Sequence, residues 1–116
     1  MCDWKELQRK IVSGDKIEWE DVHELMPYQW GNVVKATHGC LNSAALIHDA
    51  MVPGYWYNLA PEYCHVFPST NNGEQKATTG HSTKPSRAWL LAIIRTLEQN
   101  EVSDIGLEQK TNTNGR

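Results

Sequence analysis

Tyr55-Trp56-Tyr57-Asn58-Leu59 and Tyr63-Cys64-His65-Val66-Phe67, separated by Ala60-Pro61-Glu62, are the stretch that decides the fold. Both runs are rich in the aromatic residues that suit a pleated, half-buried surface, and the proline between them marks a turn. The second run alternates as a strand covered on one side does. Pro68-Ser69-Thr70-Asn71-Asn72-Gly73 follows as the clearest loop in the chain, and Gln75 to Gly80 supplies a third strand. A meander in the middle of the chain excludes an all-helical protein.

Working outward, the segments on either side carry helical spacing. Trp4, Leu7 and Ile11 fall on one face of a helix over residues 3–13, with Asp3 as N-cap and Ser13-Gly14-Asp15 as the stop. A second helix is predicted from Glu18 to Met26, ended by Pro27 because the residue before a proline avoids helical torsions. From Pro27 to Ala36 the pattern is mixed: Trp30-Gly31-Asn32 reads as a turn, and Val33-Val34 as a short strand or as packing. Thr37 to Val52 reads as one helix with a broad apolar face, closed by Pro53-Gly54. After the strands, Pro85 suits a first helical turn, and Trp89, Leu90, Ile93, Ile94 and Leu97 carry a last helix to about Asn100. The expectation is one α+β domain over residues 1–102, a small antiparallel sheet of three to four strands packed with helices. A polar, disordered tail is expected over 103–116.

The totals narrow the function classes. A chain of 116 residues buries one core, and a net charge of −3 argues against generic coating of nucleic acid, which needs a basic surface. No apolar run approaches the ~18–20 residues of a membrane span, and Met1-Cys2-Asp3-Trp4-Lys5-Glu6 lacks the pattern of a signal peptide, so a cytoplasmic protein is expected. Cys2, Cys40 and Cys64 form no CxxC pair, so free thiols are expected, buried at Cys64 and at Cys40. No metal site is expected, because the histidines at 23, 38, 48, 65 and 81 match no zinc spacing. Glu18, Glu20, Asp21 and Glu24 read most simply as the solvated face of a short helix.

Residues 37–99 resemble the phage ABA-sandwich proteins in the order of three pieces. The first is a Thr-led small-residue helix ending in Pro-Gly and an aromatic strand, here Thr37 through Ala44-Ala45 to Val52-Pro53-Gly54-Tyr55-Trp56. A short strand pair follows. The third is a Thr-Pro-Ala-like opening to an apolar helix, here Thr83-Lys84-Pro85-Ser86-Arg87-Ala88-Trp89-Leu90-Leu91-Ala92. Lys84 intrudes between Thr83 and Pro85, and Ser86-Arg87 stands where small apolar residues belong. The resemblance implies a fold and a phage origin, and no chemistry.

Two segments carry candidate binding residues. His81, Ser82, Thr83, Lys84, Ser86 and Arg87 surround the start of the last helix, where unpaired backbone N–H groups and the helix dipole favour an anion. Ordinary capping by Ser82 or Thr83, with Lys84 and Arg87 solvated, is the simpler alternative. Along the first strand, alternation sends Tyr55 and Tyr57 to one face and Trp56 to the other, so an uncovered face would form a stacking platform for a base. Packing of all three rings is the alternative there. His81-Ser82-Thr83 has the His-x-Thr form of two-histidine phosphoesterases, but no second such motif exists.

Combined with the implied phage origin, these residues point to an anti-defence protein that sequesters a nucleotide-derived immune signal without cleaving it. The expected site is Trp56 or Tyr57 with His81, Ser82, Thr83, Lys84, Ser86 and Arg87, in a homo-oligomer, most simply a dimer, without cofactor. The alternatives are a protein-binding inhibitor of a host defence complex and a nucleotide-cleaving enzyme using His81.

Overall fold

The computed structural model describes residues 3–67 and 77–113, with side chains described as far as residue 100. The loop Pro68–Gly73 and the start of the third strand at Gln75 lie outside the described residues. The element order is α1 (Trp4–Ser13), α2 (Trp19–Val22), α3 (Trp30–Thr37), α4 (Leu41–Met51), β1 (Trp56–Leu59), β2 (Tyr63–Phe67), β3 (Thr78–His81) and α5 (Pro85–Thr113). This is the α+β architecture expected. The three strands form one antiparallel sheet in the order β1-β2-β3. Trp56 lies opposite Phe67, Asn58 opposite His65, His65 opposite Thr79, and Tyr63 opposite His81.

Helix α5 is the centre of the molecule. Every residue from Ala88 to Ile94 is buried, which a helix shows only when it is enclosed on all sides. It lies against β2 and β3 on one side and against α1, α3 and α4 on the others. Gly80 explains how the sheet comes so close. A Cβ at this position would stand 2.1 Å from the Ala88 carbonyl oxygen and 2.6 Å from the Ala92 nitrogen. Only a residue without a side chain lets β3 rest on the small-residue stripe of α5. Beside it, the Thr78 hydroxyl bonds the Ala92 carbonyl at 3.0 Å and meets the Thr96 hydroxyl, so strand and helix are joined by polar as well as apolar contact.

The N-terminal helix follows its sequence signals. Asp3 Oδ1 accepts from the Glu6 N–H at 2.8 Å, and Gly14 ends α1 at φ 81°. Other elements differ from expectation. The second helix is a single turn, α2, closed by reciprocal Glu18 and Asp21 capping. Asp21 is buried and takes Lys10 Nζ at 2.8 Å, so it is a packing anchor between α1 and α2 rather than part of a solvated acidic face. The segment read as a turn followed by a short strand or packing is helix α3, because Val33, Ala36 and Thr37 stand at helical spacing and are buried together. The helix expected to begin at Thr37 begins at Leu41 instead. Gly39, at φ 111°, turns the chain between α3 and α4. Finally, α5 runs to Thr113 rather than ending near Asn100. No proline interrupts residues 101–113, and Glu, Leu, Gln and Lys among them favour helix. Among the described residues no helix is long and apolar enough to cross a membrane.

Candidate functional site

Alternation along the strands splits the sheet into two unlike faces. Cys64, Val66, Thr78 and Gly80 point towards α5, and Cys64, Val66 and Gly80 are buried there. Burial pushes the Cys64 thiol up to about 12. The other face carries Trp56, Asn58, Tyr63, His65, Phe67, Thr79 and His81, and none of these is buried. Trp56 is 60% exposed and Tyr63 is 37% exposed.

The rings of the open face form two groups. Tyr63 lies 4.8 Å from His65 and 6.4 Å from His81 between ring centroids. His65 is held by its Nδ1, 2.8 Å from the Thr79 hydroxyl. Trp56 and its cross-strand partner Phe67 stand at the opposite end of β2. Two strand spacings and four residue steps separate Trp56 from His81, a diagonal of about 16 Å. A single base cannot touch both.

The residues expected to make one site are therefore distributed over three places. Trp56 is on the open face, as the platform requires. Tyr57 belongs to the other side, where its ring lies 4.2 Å from that of Trp89 and meets His48 edge-on at 5.2 Å. That cluster is further fixed by His48, whose Nδ1 accepts from the Trp89 indole at 3.2 Å while its Nε2 lies 2.8 Å from the Tyr55 carbonyl. Since indole only donates, the Nε2 carries the proton and donates to that carbonyl. Tyr57 therefore packs on Trp89 on the face opposite Trp56, with 49% of its surface still exposed.

His81, Ser82, Thr83 and Lys84 stay together on the exposed β3–α5 connection. Ser82 Oγ accepts from the Lys84 N–H at 3.2 Å, which is local capping. Ser86 and Arg87 leave the group. Ser86 is buried with its hydroxyl donating to the Ala36 carbonyl at 2.7 Å, and Arg87 Nη2 donates to the Thr37 carbonyl at 2.8 Å. Both satisfy the open carbonyls at the C-terminus of α3, where a cation also complements the helix dipole. The helix start therefore serves α3 instead of forming an anion cradle with His81.

Sequence reasoning missed Tyr63, His65 and Phe67 as members of the open face. Their signal was present in the alternation of β2, but which face stays uncovered depends on the helices. Among the described residues no group of three or more His, Cys, Asp or Glu side chains is arranged to hold a metal ion. Comparison of the chain with family models, with curated proteins and with solved structures finds no match.

Proposed function

We propose that the protein is a non-catalytic binding protein that holds a nucleotide-derived ligand on the open face of its sheet. The observation that supports this reading is a sheet face that no described element covers, with Trp56 and Phe67 at one corner and Tyr63, His65 and His81 at the other. Exposed rings on an antiparallel sheet stack on planar bases, each stack being worth about 1–3 kcal/mol. The span of about 16 Å fits a ligand with ring systems at both ends and a phosphate linkage between them, the class to which dinucleotides and ADP-ribose derivatives belong. Lys84 is exposed on the β3–α5 connection, beyond the end of the face that carries His81, and adds positive charge at that end.

A flat face covers a ligand on one side only. A second copy laid over it would enclose the ligand, which is the role of the homodimer in this reading. The face alone, three strands wide and four to five residues long, offers about 200 Å², well short of the ~800 Å² per partner of a standard interface. The ligand is therefore part of what holds such a dimer together. The setting of a phage protein that sequesters an immune signal rests on the resemblance to the ABA-sandwich proteins.

Native mass spectrometry of the protein incubated with cyclic dinucleotides and ADP-ribose derivatives tests the reading. The expected result is a bound nucleotide that is recovered intact after denaturation, with affinity about tenfold or more lower in Trp56→Ala and Tyr63→Ala. Full affinity in both variants sinks the site. Recovery of a cleaved product favours the His81 enzyme, and no bound species favours a protein-binding inhibitor.

A further inference from the structure

The two edges of the sheet are finished differently. The Ala60 N–H donates to the Tyr63 carbonyl at 2.8 Å, so these residues are a hydrogen-bonded pair of the β1–β2 ladder. Antiparallel alternation then turns the backbone groups of Trp56 and Asn58 towards β2, and those of Tyr57 and Leu59 outward. The bond from the Ser82 N–H to the Glu62 carbonyl likewise turns Thr79 and His81 outward on β3. At that edge Arg95 Nη1 donates to the Thr79 carbonyl, and Lys5 and Glu98 border the hollow beside Thr78 and Thr79. Charge along an edge guards against pairing with another strand. β1 has no such guard. Trp56-Tyr57-Asn58-Leu59 includes no charge or proline, its register runs without a bulge, and apart from β2 no described helix or strand runs alongside it. Among the described residues the N–H and C=O groups of Tyr57 and Leu59 have no hydrogen-bond partner. This open stretch has fixed ends. Tyr55, the next residue in the alternation, gives its N–H to the Val52 carbonyl at 3.1 Å, and its own carbonyl accepts from His48 Nε2 at 2.8 Å. Pro61, at the other end, has no N–H to give.

We propose that the β1 edge is the pairing surface for a second copy of this chain, joined antiparallel about a two-fold axis at Asn58, so that two three-stranded sheets become one continuous sheet. In that register Tyr57 lies opposite the partner's Leu59 and Leu59 opposite the partner's Tyr57, and every open donor and acceptor on the edge is satisfied. A shift of two residues either way sets an open residue against Tyr55 or Pro61 and loses bonds. The edge is therefore complementary to itself, as an isologous contact requires, and no charge on the strand sets two copies apart. On the open face the two Asn58 side chains meet, and an amide, which both donates and accepts, pairs with its own copy. Trp56 falls opposite the partner's Ala60, whose small side chain leaves room for the ring. The exposed rings of Trp56 and Tyr57 supply apolar surface on the two sides of the join. The contact is smaller than the ~800 Å² per partner of a standard interface, so the dimer is expected to be in exchange with monomer at micromolar concentration. It differs from a face-to-face dimer. It needs no ligand, and it leaves both open faces uncovered, side by side.

Sedimentation velocity and amide hydrogen exchange of the ligand-free full chain, from about 5 to about 500 µM, test the pairing. The expected result is a monomer–dimer equilibrium in which the Tyr57 and Leu59 amides exchange at least about fivefold more slowly at the top of the range, while the Thr79 and His81 amides do not change. Asn58→Lys, at an exposed position, sets two like charges against each other at the axis. It is expected to weaken dimerisation at least about tenfold and to leave urea unfolding of the monomer unaltered. Tyr63→Ala, which removes a ring from the proposed ligand face, leaves the dimer intact, so loss of nucleotide binding and loss of pairing are separate failures. A chain that stays monomeric at the highest concentration overturns the proposal and leaves the edge to an extended peptide of another protein. A dimer in which Tyr57 and Leu59 exchange as fast as in the monomer, or one that Asn58→Lys does not weaken, overturns it as well.

Discussion

The two faces of one three-stranded sheet obey different rules. The inner face, Cys64, Val66, Thr78 and Gly80 against α5, is packed until a single Cβ has no room. The outer face leaves Trp56, Tyr63 and His81 exposed and His65 and Phe67 half-buried, although aromatic rings are the side chains with most to gain from burial. Both faces are built from the same strands with the same alternation, so strand propensity cannot account for the contrast. The difference lies in what faces them. The side that meets α5 is buried, while the other side leaves its rings exposed or half-buried.

The sharpest way to break this contrast is at Gly80. Gly80→Ala puts a methyl group against backbone atoms of α5 that cannot yield, and it is expected to destabilise the fold by about 3 kcal/mol or more in urea unfolding. A cost below about 1 kcal/mol would mean that β3 does not rest on α5 as closely as described. Next in size, Thr78→Val removes a hydroxyl that serves the Ala92 carbonyl and the Thr96 hydroxyl. It should cost about 1–2 kcal/mol in the same measurement, with Val66 and Cys64 still packed beside it.

The inner face also has a pH signature. The Cys64 thiol is held at about 12, above the ordinary 9.0 of a thiol, because burial disfavours the thiolate. The unfolded chain releases this proton first as pH rises. The stability that Cys64 contributes is therefore intact below about 9 and declines through the window from 9.0 to about 12. Chemical denaturation across that window should show a steeper alkaline loss for the natural chain than for Cys64→Ala, and equal slopes would contradict the burial. Cys40 provides the contrast. The hydrogen bond from Ser43 lowers its thiol from 9.0, so in a Cys2→Ser background Cys40 should be alkylated well before Cys64 in the native state.

The smallest expected change in stability belongs to the outer face. Trp56→Ala should alter unfolding by no more than about 0.5 kcal/mol, since Trp56 is 60% exposed, while lowering ligand affinity as proposed above. A loss of several kcal/mol would show that the ring is structural after all and that the two faces are less different than they look.

Much of this architecture was legible in local sequence. Asp3 and Gly14 delimit α1 because capping needs only neighbouring atoms, and Pro61 between two aromatic runs marks the β1–β2 turn for the same reason. The alternation Tyr63-Cys64-His65-Val66-Phe67 assigned each residue to one of two faces before any partner was known. Helix α3 was not legible, because a glycine and two valines are poor helix formers and only the burial of Val33 and Ala36 against the rest of the chain selects that conformation. The destination of Ser86 and Arg87 was equally hidden. Their bonds go to Ala36 and Thr37, fifty positions away, so the helix start that looked like an anion cradle is a clasp on α3.

By itself, then, the sequence determined the α+β class, the strand faces and the helix ends that close on their own side chains, since these depend on contacts a few residues apart. The tertiary structure alone decided which sheet face α5 would cover, which rings would remain exposed, and that Ser86 and Arg87 would close on the end of α3. Each of those outcomes is set by elements that are distant in the chain and brought together only by burial.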